Sequence, residues 1–173
     1  HTKVVVIMTL ALTFGGAFLF WLAERTNPDT IGNMPLLGQW INCYFHSVSC
    51  RTAGFASIPV DKMHNLSISL SMGLMFIGAA PGSTGGGIKV TTLYILITYV
   101  IATLKQKKEY VVDKKAIGTN TLAKAASTVL LAMFILFISA MLIFAAENRK
   151  GTQNLLMLIF EQISAYSTCG LTL

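Results

Sequence analysis

Two short stretches carry the groups with the clearest chemical use: Thr52-Ala53-Gly54 and Thr168-Cys169-Gly170, each following a short apolar run. A helix that ends in such a loop aims its C-terminal end, with the partial negative charge of unpaired carbonyls, at whatever lies beyond. The extended backbone after it offers more carbonyl oxygens, and rings of these replace the hydration shell of a potassium ion in a selectivity filter. Glycine is needed there because carbonyls facing one axis require dihedrals that a side chain would obstruct. The chemistry is coordination of a bare cation by neutral oxygen. It calls for no catalytic acid, base or nucleophile, and the chain reads as no enzyme.

A third stretch, residues 78–89, reads GAAPGSTGGGIK and contains five glycines and a proline. Uncharged apolar runs flank it, at 66–77 and 90–104. No helix passes intact through Pro81 and the run Gly85-Gly86-Gly87. Non-helical backbone at membrane depth is tolerated only where protein buries it or where it lines a water-filled cavity. Such breaks usually mark a solute pathway. Gly78, Pro81, Gly82, Ser83, Thr84, Gly85, Gly86, Gly87 and Lys89 are therefore expected to form a loop that gates one. A phosphate-binding loop is excluded, because Gly87-Ile88-Lys89-Val90 lacks the Gly-Lys-Ser/Thr junction and no strand precedes it. Lys89 either snorkels toward the interface or helps set the position of this loop.

The elements that position these groups follow from hydrophobic patterning. Over 173 residues the composition is 54% hydrophobic and only 12% charged, about half the charged share of a soluble domain. This is expected of an integral membrane protein. The net charge of +6 reflects basic residues in short loops, as the positive-inside rule predicts, and needs no nucleic acid partner. Residues 4–23 and 125–146 are each long enough to span a bilayer core of roughly 30 Å. Residues 36–49 and 154–165 are too short to span and are expected to dip in from outside. Residues 66–104 form the interrupted helix, which ends at the basic cluster KQKKEY and Asp113-Lys114-Lys115, placed in the cytoplasm. Cys43, Cys50 and Cys169 read as small apolar fillers with no metal spacing. His46, on the first short helix, reads as a hydrogen-bonded packing residue.

The order is spanning helix, short helix, Thr-x-Gly loop, spanning helix, and then the first three parts again. Phe45-His46-Ser47-Val48-Ser49 matches Phe160-Glu161-Gln162-Ile163-Ser164, with one extra residue between serine and threonine in the second copy. At SVSCRTAGF (47–55), FIGAAPGSTGGGIK (76–89) and SAYSTCGLTL (164–173) the chain resembles the Trk/Ktr/HKT superfamily of potassium transporters, and within it the Ktr-type membrane subunit. The resemblance covers essentially all 173 residues. The second glycine of the potassium-channel pattern is absent, with Phe55-Ala56 and Leu171-Thr172 in its place.

The resemblance implies an all-α integral membrane protein built of helix–pore-helix–helix repeats around a pseudo-fourfold cation pore. Residues 1–110 correspond to the third of four repeats, 111–120 to a cytoplasmic linker, and 121–173 to a fourth repeat lacking its last helix. It further implies potassium uptake across the plasma membrane, with potassium as substrate, sodium as a coupling or activating ion, and no cofactor in this chain. Backbone carbonyls of Thr52, Ala53, Gly54, Thr168, Cys169 and Gly170 would bind the ion. Arg51, Glu161 and Ser167 would support them, Arg51 pointing behind the filter to pair with Glu161 rather than facing solvent at the mouth. Implied partners are membrane lipid, a second copy in a homodimer, and a cytosolic nucleotide-binding regulatory subunit docking near Lys105 to Lys115. Two other readings remain open at this point: a secondary transporter holding a solute at the broken helix, and a non-transporting membrane subunit of a larger assembly.

Overall fold

A computed structural model describes residues 2–105, 111–112, 115–116, 119–147 and 155–173. Six α-helices account for most of them: α1 (Thr2–Glu24), α2 (Leu36–Ser49), α3 (Asn65–Phe76), α4 (Val90–Leu104), α5 (Thr119–Glu147) and α6 (Leu155–Tyr166). A single 3-10 turn at Val60–Lys62 precedes α3. Among the described residues one departure from an all-helical chain occurs, where β1 (Val111–Val112) pairs antiparallel with β2 (Lys115–Ala116). A pairing this short has no alternating apolar pattern by which the sequence could reveal it. Most of the basic cluster after Lys105, and with it most of the docking region expected there, lies outside the described residues.

α1 and α5 are long and apolar enough to cross a membrane. At 1.5 Å per residue their 23 and 29 residues measure about 34 and 43 Å, whereas the 14 of α2 and 12 of α6 reach only about 21 and 18 Å. The buried positions of α1, Thr13, Gly16, Ala17, Phe20 and Glu24, lie on one stripe, while Ile7, Leu10, Phe14 and Leu22 are exposed. α5 exposes apolar side chains around most of its circumference, including Leu130, Phe134, Phe137 and Leu142. Helices with this distribution suit an apolar surrounding.

α1 packs against α2, α3 and α4, while α6 packs against α3 and α5. The core between them is formed by Ala17, Phe20, Cys43, Cys50, Ile68, Met75, Phe160, Cys169 and Leu171. All three cysteines are buried and free, as apolar fillers should be. The break expected at 78–89 is present. α3 stops at Phe76 and α4 starts at Val90, with a parallel bridge between Ile77 and Ile88 and an Ile88 N–H to Phe76 carbonyl bond of 3.0 Å. The chain thus leaves the detour beside the point where it entered, heading the same way.

Candidate ion-coordinating site

Both Thr-x-Gly loops begin where a short helix ends, and their backbones share an uncommon conformation. Thr52 has φ +82° and Thr168 has φ +56°; among the described residues they are the non-glycine positions with positive φ. Gly54 and Gly170 follow at +73° and +87°. A β-branched residue in this region is a genuine outlier, and such strain clusters at functional sites. Alternation of handedness along Thr-x-Gly turns successive carbonyls toward a common side rather than to opposite faces as in a strand.

The same supporting contacts hold both loops. Ser49 Oγ donates to the Phe55 carbonyl at 2.5 Å, and Ser164 Oγ donates to the Leu171 carbonyl at 2.6 Å. The Ser49 carbonyl accepts from Ala53 N at 3.1 Å, and that of Ser164 from Cys169 N at 3.0 Å. Ser47 Oγ donates to the Thr13 carbonyl of α1 at 2.8 Å, while Gln162 Nε2 donates to the Leu136 carbonyl of α5 at 2.5 Å. The extra residue of the second copy is absorbed because α6 runs on to Tyr166 before the loop begins. Sequence comparison aligned the two serines but assigned them no role. Their signal was a hydroxyl recurring where a short apolar helix stops. Ser164→Ala or Ser49→Ala leaves a carbonyl without its donor, so each is expected to cost about 1–3 kcal/mol, read as thermal unfolding of the purified protein.

The two loops meet directly. A Cβ built on Gly54 would lie 2.0 Å from the Cys169 carbonyl oxygen. Cys169 Sγ donates to the Ser49 carbonyl at 3.3 Å, so this buried thiol faces the end of α2. Thr168, Gly170 and Ala53 are exposed on the other side. Ser167 is buried and donates to the Ser164 carbonyl at 3.2 Å, securing the end of α6.

One expected pairing is corrected. Arg51 does not pair with Glu161. Its Nη1 donates to the Thr9 carbonyl at 3.4 Å and its Nη2 to the Gly78 carbonyl at 3.2 Å. Glu161 is exposed, and its Oε1 accepts from Leu173 N at 3.0 Å, in the outgoing leg of its own loop. The cause is geometric: the detour at Gly78 presents a free backbone carbonyl beside Arg51, and Glu161 finds a donor within its own unit. His46 is buried, with Nε2 3.0 Å from Ser71 Oγ and an edge-on contact to Phe20. It is a packing residue, as expected.

The glycine-rich detour packs against both loops. A Cβ on Gly85 would come within 2.8 Å of Thr52 Cγ2, and Gly86 N donates to Thr168 Oγ1 at 2.9 Å. Lys89 Nζ donates to the Gly85 carbonyl at 2.5 Å and to that of Ser83 at 3.4 Å. Of the two roles open to Lys89, the contacts are those of a residue holding the loop in shape. Thr52, Ala53, Gly54, Thr168, Cys169 and Gly170 are thus gathered in one place, with Gly78, Gly85, Gly86 and Lys89 beside them. Pro81, Gly82, Ser83 and Thr84 form the outlying part of the detour, where Ser83 Oγ donates to the Ala80 carbonyl at 2.7 Å.

No group of three or more His, Cys, Asp or Glu side chains is placed to hold a metal ion among the described residues. The groups gathered where the two loops meet are backbone carbonyls and hydroxyls. A cation transport protein family model, TrkH, matches residues 1–173. The chain belongs to the TrkH family. TrkH relatives include the Ktr system potassium uptake protein B of Vibrio alginolyticus, 37% identical over 172 residues, covering 99% of this chain and 37% of the relative. The protein of the same name from Bacillus subtilis is 35% identical over 173 residues, covering all of this chain and 38% of the relative. The potassium/sodium uptake protein NtpJ of Enterococcus hirae is 33% identical over 173 residues, with the same coverage, 100% and 38%. The chain therefore spans somewhat over a third of the length of these curated TrkH relatives.

Proposed function

We propose that the chain forms part of a potassium pathway across the plasma membrane. Its two Thr-x-Gly loops supply the selecting oxygens, and the detour at 78–89 acts as the gate beside them. The observation that carries this reading is the matched pair of strained threonines, each followed by a left-handed glycine and tied by a serine to the carbonyl after it. Neither a solute site at a broken helix nor a purely structural subunit requires that strain twice. The recurrence favours two helix–pore–helix units, residues 1–110 and 121–173 joined by a linker at 111–120, arranged about a pseudo-fourfold axis.

Relatives named for potassium uptake, and one for potassium and sodium uptake, support these ions as cargo; in this reading sodium is also a coupling or activating ion. The relatives' designation as parts of a Ktr system supports a further subunit. In this reading it is a cytosolic nucleotide-binding regulator docking near Lys105 to Lys115, on a homodimer of the membrane protein.

The test is rubidium uptake against competing sodium in cells deficient in potassium uptake that express the full-length protein. Selective uptake is expected, and equal uptake of both ions would overturn the filter assignment. Removing Ser83, Thr84 and Gly85 shortens the gate and removes both carbonyls that hold Lys89, so flux should rise. Unchanged flux would make the detour a structural break only.

A further inference from the structure

We propose that Thr168 Oγ1 is a shared acceptor through which the gate loop and the permeating cation oppose one another. The inference rests on the filter reading above and adds how gate and filter communicate. Thr168 is the first residue of the second loop, and its exposed hydroxyl oxygen is a neutral oxygen of the same kind as the carbonyls that follow it. In this structure that oxygen accepts the Gly86 N–H at 2.9 Å.

The contact is built. A Cβ on Gly86 would lie 2.6 Å from the Tyr166 carbonyl oxygen and 2.9 Å from the Ser167 carbonyl carbon. The loop backbone therefore lies directly on the start of the second filter loop, closer than any side chain allows. Lys89 Nζ caps the adjacent Gly85 carbonyl at 2.5 Å, and Arg51 Nη2 holds Gly78 at 3.2 Å. Two positive side chains thus secure the same loop that presses an N–H against the filter.

A hydroxyl oxygen has two lone pairs, so sterics alone do not prevent it from serving both partners. Electrostatics opposes it. The amide hydrogen is the positive end of its dipole, and the Lys89 ammonium adds a full charge one residue away. A dehydrated cation drawn to Thr168 Oγ1 meets both. An ion at this inner end of the filter therefore weakens docking of the loop, and docking weakens that ion. Affinity coupling between two linked events is reciprocal, and about fivefold is the lower end of what such coupling usually amounts to.

The experiment uses purified full-length protein, with potassium binding measured by calorimetry and amide hydrogen exchange followed across residues 78–89. Saturating potassium, compared with choline, is expected to accelerate exchange at Gly86 by about fivefold or more. T168V should exchange quickly in both salts, since the acceptor is gone while the β-branched shape remains. T168S should retain the potassium dependence. If potassium binds but exchange at Gly86 in the unaltered protein is unchanged or slower, the opposition is wrong and the filter stands. If no potassium binds, filter reading and inference fall together. A persisting potassium effect in T168V would move the coupling to another group and overturn this assignment; should that variant not fold, the comparison in the unaltered protein still decides.

Discussion

Gly54→Ser is expected to abolish selective rubidium uptake by the full-length protein, lowering it on the order of a hundredfold, the loss that an ångström of misplacement costs a reacting group. Two causes act together. At φ +73° any residue with a Cβ is strained, by roughly 1–2 kcal/mol. The added Cβ would also stand 2.0 Å from the Cys169 carbonyl oxygen and 3.1 Å from its carbon. These are backbone atoms of the second loop, so no rotamer change relieves the overlap, and the loops must separate by about an ångström or more to reach ordinary contact. Oxygens that replace a hydration shell lose their fit to the ion with such a displacement.

Gly170→Ser provides the contrast. It carries the same kind of strain, φ +87°, but an added Cβ meets nothing within 4 Å. Its loss should be about tenfold, the equivalent of the backbone strain alone. Rubidium uptake with and without sodium, measured for both variants, gives the ranking. A Gly170→Ser defect deeper than that of Gly54→Ser would contradict the contact between the loops.

Much of this arrangement was legible in the residues. The short apolar run at Leu36–Ser49 has the boundaries that its length and flanks predict, and the charge-free runs on either side of 78–89 became α3 and α4. Periodicity and turn residues act locally, and these features are local. The recurring order of Phe45 to Ser49 and Phe160 to Ser164 also pointed to the serines that hold both loops. The partners of long polar side chains were not legible. Arg51 stands beside a loop whose path through space decides between a carboxylate and a backbone carbonyl, and pairing by charge chose wrongly. The detour at 78–89, which returns to its starting point, brings Gly86 onto Thr168, 82 positions away, and no spacing rule reaches that far. Glu24, directly after the apolar run at 4–23, gives no sign in the sequence of what it bonds. Its donors lie on the turn at 25–34 and at the start of α3.

Those donors make Glu24→Ala the substitution expected to cost the most stability. The Glu24 side chain is fully buried, at 0% exposure. Oε2 accepts from Asn27 Nδ2 at 2.7 Å and from Thr30 Oγ1 at 2.7 Å; Oε1 accepts from the His64 backbone N at 2.8 Å and from Ser67 Oγ. Asn27 Nδ2 also donates to the Lys62 carbonyl at 2.9 Å. One carboxylate thereby joins the end of α1, the turn at 25–34, the 3-10 turn and the start of α3, where the positive helix end favours an anion. Alanine would leave four donors around an empty site, a loss of about 3–5 kcal/mol by comparison with the breaking of other buried charged contacts. Glutamine keeps the shape but turns one acceptor into a donor among donors, so it should fall between alanine and the native residue. His64→Ala is the control. The ring lies 3.4 Å from Oε1 with its side chain 52% exposed, and the backbone N–H survives the change, so its effect should stay under about 1 kcal/mol. Thermal unfolding of the purified variants measures the series. Rubidium selectivity of the Glu24→Ala protein that does fold should match the unaltered protein, since no Glu24 contact touches either Thr-x-Gly loop. A Glu24→Ala loss no larger than that of His64→Ala would remove the carboxylate from its central place in the outer structure.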